Sequence, residues 1–537
     1  MDQVTLPPPN TLGLPDKFTT WRKHQADAVM FSLNNEKRFT TLVAGTGSGK
    51  SVTYMAVALN REGRSCILTS TKGLQSQLMK DFSSIGLVDI RGRNSYLCRA
   101  ETDGTRCDHG KCVVGFDCNY KDSGGCSYYD AYKRAKWSDL VVTNYSYWAS
   151  INSVVGGDGL GDFTTLICDE AHDTPNVISS FMTVTLDTED PIITSLLHRI
   201  TPTGMTIEEW VEWADSKLSV IGGDMECIKE KGKEQGELSR RDRRLFSRLG
   251  AVQRSLTTLC GMDDNWVVDV GESRISFSPV WPTEYTEGIL FRGVPNIHLT
   301  SATVCNKTLD LLGLKKEENA LVEYPHPFPV KNRMLIHIPT IRLNYKTTPA
   351  EMDVWLRRID QIIRPRQDRK GIVHSVSYSR RNLIMTKSKY KDKMVSHDST
   401  NTEYQVNIFK NNKKPKVFVS PSITTGYDFP YDACRFQIIG KLAYPDTRDV
   451  ITAARMERDP DYAAYSAAQQ LVQCVGRAVR SQDDVAENFI IDDNVLWFIS
   501  KYADFMPKWF IEAFTTCSTL PQPIKLKGDN RDEMPEV

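Results

Sequence analysis

The stretch that most constrains the fold is Thr40-Thr41-Leu42-Val43 followed by Ala44-Gly45-Thr46-Gly47-Ser48-Gly49-Lys50-Ser51. The first four residues read as a short buried strand and the run from Lys50 to Leu59 as a helix, with a glycine-rich turn between them. In that order the glycines let backbone N–H groups close around phosphates. The lysine then neutralises β/γ charge and the serine hydroxyl ligates magnesium. The strict pattern opens with glycine, where this chain has Ala44. A bound nucleotide with magnesium is the expected ligand.

Apolar runs that read as buried parallel strands recur at Cys66-Ile67-Leu68, Leu140-Val141-Val142, Leu166-Ile167-Cys168 and Ile297-His298-Leu299. A second series follows at Gly371–His374, Val417–Val419, Phe436–Ile439 and Phe489–Ile491. The spacing predicts an α/β protein with two parallel-sheet domains. The first comprises residues 1–92, 138–174 and 286–335, and the second residues 336–537. Two insertions interrupt the first domain. Residues 93–137 carry a cysteine cluster, and residues 175–285 read as mostly helical with no strand series of their own. Within the latter, Lys229 to Arg248 holds eight Lys/Arg against four Asp/Glu, a solvated helix face or a nucleic-acid contact.

The chain has 67 basic and 67 acidic residues, so no overall field recruits a polyanion and any such contact must be local. No run approaches the length of a membrane helix, and the start of the chain lacks the order of a secretory signal. A cytoplasmic protein is expected. Five of the 13 cysteines, at positions 98, 107, 112, 118 and 126, fall within 29 residues. In a reducing compartment such a cluster points to a metal or cluster site rather than to disulfides. The lysines between Lys387 and Lys416 read equally as the border of a phosphate track or as solvated surface.

Leu166-Ile167-Cys168-Asp169-Glu170-Ala171-His172 puts two carboxylates at the end of a buried strand. There Asp169 can hold magnesium, and Glu170 can orient and deprotonate an attacking water. Asp-Glu-Ala-His resembles motif II of the DEAH helicases of superfamily 2, and further motifs occur in the family's order. Gln25 resembles the glutamine that reads adenine, and Ser70-Thr71-Lys72 resembles motif Ia, which meets the nucleic-acid backbone. Ser301-Ala302-Thr303 is similar to motif III, and Gly371-Ile372-Val373-His374-Ser375 to motif IV. Thr424-Thr425-Gly426-Tyr427-Asp428 looks like motif V, placing Gly426 and Asp428 at the nucleotide. Gln473-Cys474-Val475-Gly476-Arg477-Ala478-Val479-Arg480 fits motif VI. Arg477 and Arg480 lie about one helical turn apart, so both can supply charge to the γ-phosphate when a cleft closes.

Cys98, Cys112, Cys118 and Cys126, with their flanking residues, resemble the iron-sulfur insertion of the DinG and XPD helicases. In that branch four cysteines between motifs Ia and II hold a 4Fe-4S cluster. Cys107 is then the spare thiol and the alternative to Cys112. Zinc is the other occupant that four thiolates suit. The resemblance implies two RecA-like domains, an iron-sulfur domain and an arch-like helical insertion. It further implies ATP-driven 5′ to 3′ translocation on single-stranded DNA, work at duplex junctions, replication or repair partners, and a monomer. A DNA-stimulated translocase that separates no strands, or an RNA helicase, are the alternatives within that reading. With the phosphate loop starting at residue 44, no nuclease domain is expected before it, as in a compact virus- or plasmid-borne version.

Overall fold

The computed structural model describes residues 6–101, 103–114, 118–153, 159–235, 238–421, 427–479 and 481–526. The chain lays down β1 (Phe39–Val43), β2 (Ser65–Thr69), β3 (Val88–Asp89), β4 (Leu140–Asn144) and β5 (Thr165–Asp169). An insertion holding β6 (Val184–Asp187), β7 (Trp266–Val270) and β8 (Arg274–Pro279) follows, and then β9 (Asn296–Ser301) and β10 (Asn319–Glu323) complete the first domain. The first sheet runs β10-β1-β9-β5-β2-β4-β3, seven strands, every pairing parallel. β1, β2 and β5 are buried along their whole length, as strands covered by helices on both faces must be, hence their unbroken apolar and β-branched runs.

The second domain contributes β11 (Leu335–Ile341), β12 (Gly371–His374), β13 (Met394–Ser396), β14 (Val417–Ser420), β15 (Phe436–Ile439), β16 (Glu487–Asp492) and β17 (Phe514–Thr516). These form a second seven-stranded parallel sheet in the order β13-β14-β12-β15-β16-β11-β17. All eight strands anticipated from apolar runs besides the phosphate-loop strand are present, and the chain crosses from one sheet to the other between Glu323 and Leu335.

The insertion after β5 is mostly helical as expected but carries strands that were not expected. Its long helices, Ile207–Gln235 and Arg240–Leu259, pack on a three-stranded antiparallel sheet, β6-β8-β7. β6 and β8 alternate buried and outward residues, the period-2 pattern of a sheet with one face on a core. Val184, Leu186, Ile275 and Phe277 meet Trp210 and Trp213 of the first long helix there. The insertion also touches the cysteine segment, through Arg243 on Glu101 (2.6 Å) and Arg240 on Asp103 (2.6 Å).

Candidate functional site

The phosphate loop leaves β1 at its carboxyl end and enters the helix Lys50–Asn60. Gly47 (φ 75°) and Gly49 (φ 80°) are left-handed, a conformation that costs other residues a clash at Cβ. The first turn of the helix carries no acidic side chain, so its free N–H groups face an incoming anion without competition. A Cβ at Gly45 would overlap the ring of His326, which reaches the loop from the segment joining the two sheets.

Gln25 is buried beside the loop, its amide nitrogen donating to Ser48 O (3.0 Å) and Gly49 O (3.0 Å) and its oxygen accepting from the Arg22 N–H (2.8 Å). Arg22 also donates to Gly47 O (2.8 Å). The glutamine expected at the adenine edge thus holds the backbone of the phosphate loop. His24 stacks on Tyr324 (5.6 Å between centroids), walling a cleft that opens on Gln25, Ser48 and Lys50.

Asp169 ends β5, two strands from β1. Its Oδ1 accepts from the Glu170 N–H (3.0 Å) and its Oδ2 from the Tyr54 hydroxyl (3.3 Å), one turn into the phosphate-loop helix. Burial and the neighbouring Glu170 carboxylate push the Asp169 carboxyl up to about 7, against the pull of Lys50. Glu170 is left-handed (φ 53°), an uncommon state for a side chain of its kind and one that concentrates at functional turns. Ser51, the other expected magnesium ligand, is the second residue of the helix.

From Glu170 a chain of polar contacts crosses to the second domain. His172 Nδ1 lies 3.3 Å from Glu170 Oε2 and 2.8 Å from Ser301 Oγ, while Gln473 Nε2 lies 3.2 Å from His172 Nε2 and 3.0 Å from Thr303 Oγ1. With an amide N–H facing it, Nε2 is the acceptor and the ring proton belongs on Nδ1. Ser301 ends β9 and Thr303 follows it by two residues, while Gln473 sits on the helix Tyr462–Val475 of the second domain. A methyl group at Gly476 would stand 3.1 Å from Thr46 Cγ2, so motif VI abuts the phosphate loop and the cleft between the domains is closed. Arg477 is buried there and donates to Tyr427 O (2.6 Å). Burial lowers its pKa while the charges of Cys474 and Glu170 oppose that, which places its guanidinium within reach of Glu170's field. Gly426 and Arg480 lie outside the described residues.

The cysteine segment is built of short turns leading to the helix Ser127–Trp137. Cys98, Cys107, Cys118 and Cys126 are buried and Cys112 is partly so. Burial raises the Cys98 and Cys112 thiols, and the neighbouring thiols Cys118 and Cys126 raise both further. A Cβ at Gly110 would stand 3.0 Å from Cys98 Sγ and 3.9 Å from Cys112 Sγ, so only glycine leaves that side of the thiol pocket open. Cys107 donates to Leu97 O (3.4 Å), and burial together with Cys126 and Cys98 pushes it up to about 12. Among the described residues no three His, Cys, Asp or Glu side chains are placed to hold one metal ion.

Three features had no signal in the sequence. His326 reaches the phosphate loop from far along the chain. Arg455 is buried, donating to Val280 O (2.7 Å), the Tyr462 hydroxyl (2.8 Å) and Ser179 Oγ (2.8 Å), and so ties the second domain to the insertion at two points. Tyr345, Tyr444 and Trp497 are exposed by 91%, 41% and 54% beyond the carboxyl ends of β11, β15 and β16. Those three strands are neighbours in the sheet.

Two family models match the chain, DEAD/DEAH box helicase over residues 22–180 and Helicase C-terminal domain over residues 363–513. Together they take in more than half of it. The chain belongs to the DEAD/DEAH box helicases. It is 28% identical over 200 residues to the ATP-dependent DNA helicase YoaA of Escherichia coli (strain K12), a match covering 26% of this chain and 30% of that protein. It is 24% identical over 189 residues to the probable ATP-dependent helicase MJ0942 of Methanocaldococcus jannaschii, covering 29% and 28%. The matched part spans less than a third of the length of either relative. The fold agrees with a solved structure titled XPD helicase (TM-score 0.62, 15% identity, 92% of this chain and 98% of that one). It agrees also with the Xpd4 structure of S. tokodaii (TM-score 0.58, 12% identity, 92% and 100%). No helix among the described residues is long and apolar enough to cross a membrane.

Proposed function

We propose that this protein is an ATP-driven DNA helicase that moves 5′ to 3′ along single-stranded DNA by closing and reopening the cleft between its two parallel-sheet domains. One observation carries the reading. Gln473 of the second domain reaches both Thr303 and His172 of the first while Gly476 abuts Thr46, so nucleotide chemistry and domain closure share one set of contacts. In this scheme Ala44 to Ser51 hold the phosphates of ATP, with Lys50 against the β/γ charge, and Ser51 and Asp169 hold magnesium. The ion supplies charge neutralisation at the phosphate oxygens. Glu170 orients water and takes its proton. His172 senses whether Gln473 is docked, and Arg477, with Arg480 and the motif V residues Gly426 and Asp428, completes the nucleotide pocket from the second domain.

Tyr345, Tyr444 and Trp497 offer ring faces on which bases of a single strand can stack, with Lys501 Nζ 5.3 Å above the Trp497 ring for a phosphate. Cys98, Cys112, Cys118 and Cys126 would hold the 4Fe-4S cluster. The thiols of a cluster bind separate irons and stand farther apart than the ligands of a single ion, which suits cysteines of which Cys98 and Cys112 flank Gly110. Cys107, already bonded to Leu97 O, is the one left over. A bound cluster would cross-link four points of a segment that has little regular structure. We place the protein in the cytoplasm as a monomer acting at duplex junctions beside replication or repair proteins.

The test is ATP hydrolysis with and without single-stranded DNA or RNA, together with iron content after anaerobic purification. DNA-stimulated turnover that is lost in Lys50→Ala, with about four irons per chain, is the expected result. Turnover indifferent to DNA would overturn the motor reading, and zinc in place of iron would overturn the cluster.

A further inference from the structure

The second sheet carries a strongly basic surface along its β13–β14 edge, which the proposed mechanism leaves unused. Between residues 387 and 416 there are eight lysines and three acids, in a chain whose net charge is zero. The fold draws them together. The helices Tyr378–Lys387 and Thr402–Asn411 each run back along the sheet after a strand, so their carboxyl ends and the loops that follow lie at the amino ends of β13 and β14. Those two strands are paired, Met394 opposite Val417. Lys416 Nζ donates to Asp392 O (2.8 Å), clamping one loop to the other, and Lys370 Nζ donates to Phe409 O (2.9 Å) at the end of the second helix.

Helix dipoles account for Lys387 and Lys410, which sit in last turns. They do not account for Lys389, Lys413 and Lys414, which stand in the loops, or for Lys391 and Lys393, which bound a single 3-10 turn too short to carry an appreciable dipole. Elsewhere Lys17, Lys231 and Lys307 each hold a carboxylate. Among the described residues none of these five lysines does so, and Asp398, one of the three acids, is taken by Arg381 (3.3 Å). The outward face of the helix Thr402–Asn411 adds Tyr404 (67% exposed) and Ile408 (45%), one turn apart and leading toward the lysines. Uncompensated cations gathered on one rim match the phosphate charge of a nucleic-acid strand, and the exposed Tyr404 ring, in the first turn of that helix, stands about a helix length away as a place for a base to stack.

We infer that this rim, at the amino ends of β13 and β14, is a second nucleic-acid contact that holds the phosphate backbone of a strand extending beyond the motor cleft. Motif IV and the exposed rings Tyr345 and Tyr444 stand at the carboxyl end of the same sheet, so a strand occupying both ends must be longer than the motor track alone. The inference rests on the helicase reading and deepens it.

The test compares wild type with Lys389→Gln/Lys391→Gln/Lys413→Gln/Lys414→Gln in the full chain. Fluorescence anisotropy is read with oligothymidylates of about 10 and about 30 nucleotides across a salt series. In wild type the longer strand should bind with the steeper salt dependence. In the variant its log Kd versus log salt slope should fall by up to about 3, at about 0.7 per lost phosphate contact, and its affinity at low salt about tenfold or more. Binding of the shorter strand and DNA-independent ATP hydrolysis should stay as in wild type, and the four-fold Lys→Arg variant should keep the wild-type slope. An unchanged slope for the longer strand overturns the inference, as does an equal loss for both strands or a loss seen with anionic lipid vesicles but not with DNA. Wild-type protein that binds neither strand overturns the helicase reading itself, which separates the two failures.

Discussion

Asp169 gives the sharpest test of the site because the structure assigns it a thermodynamic cost. Its carboxyl is buried beside Glu170 and is raised from the ordinary 3.8 to about 7, so the folded protein favours the neutral form. For such a group the stabilisation is fully present below the ordinary value and is lost as pH rises through the folded one. Each pH unit between the two is about 1.4 kcal/mol, so the charged form costs the empty fold between about 1 and 4 kcal/mol above neutrality. Asp169→Asn removes the charge but keeps an oxygen for the Glu170 N–H and an amide for the Tyr54 hydroxyl. Without metal, the variant should therefore melt above wild type at pH 8, by on the order of 5–10 °C if 1 kcal/mol moves a domain of this size by about 2–4 °C. The gap should close toward pH 5. Magnesium should raise the melting temperature of wild type at pH 8 and leave the variant unmoved, and the variant should turn over no ATP. Thermal scanning fluorimetry in chelator at both pH values reads this directly. An offset of the same size at pH 5 and pH 8 would refute the reasoning.

Other consequences follow from single contacts. Gly45→Ala should weaken ATP binding at least tenfold because its Cβ would overlap the His326 ring, and His326→Ala should restore it; nucleotide titration followed by fluorescence checks both. Arg455→Ala leaves Val280 O, the Tyr462 hydroxyl and Ser179 Oγ without their buried donor. It should cost about 2–4 kcal/mol and raise hydrogen exchange in the helix Val450–Arg458 and in β8. Cys112→Ser should lose iron on anaerobic purification while Cys107→Ser keeps it, and iron retained in Cys112→Ser would move the ligand role to Cys107.

Much of this architecture was legible because buried parallel strands announce themselves. Leu140-Val141-Val142 and Phe489-Ile490-Ile491 are covered on both faces, and their composition leaves few other readings. The edge strands were harder, since β3 has two residues and β13 and β17 three each, too short for any periodicity to register. The insertion misled for a different reason. Val184-Thr185-Leu186-Asp187 and Arg274 to Pro279 are half-buried strands, and their alternation is brief beside two long helices that dominate the segment. At the site, local motifs placed Lys50, Asp169 and Glu170 correctly relative to their strands. No local pattern could bring His326 onto Gly45, a contact made by pairing β10 beside β1, or Gln473 onto His172, a contact made where the second sheet closes on the first. Gln25 shows the same limit, since its two backbone acceptors in the phosphate loop exist only once the loop is folded.

The central claim is that closure of this cleft drives strand separation, and the most direct measurement is displacement of a labelled strand from duplexes bearing a single 5′ or 3′ tail, with ATP and magnesium. The account predicts unwinding of the 5′-tailed DNA, none of the 3′-tailed DNA, and none with Lys50→Ala. ATP turnover with no strand released from either duplex would contradict it.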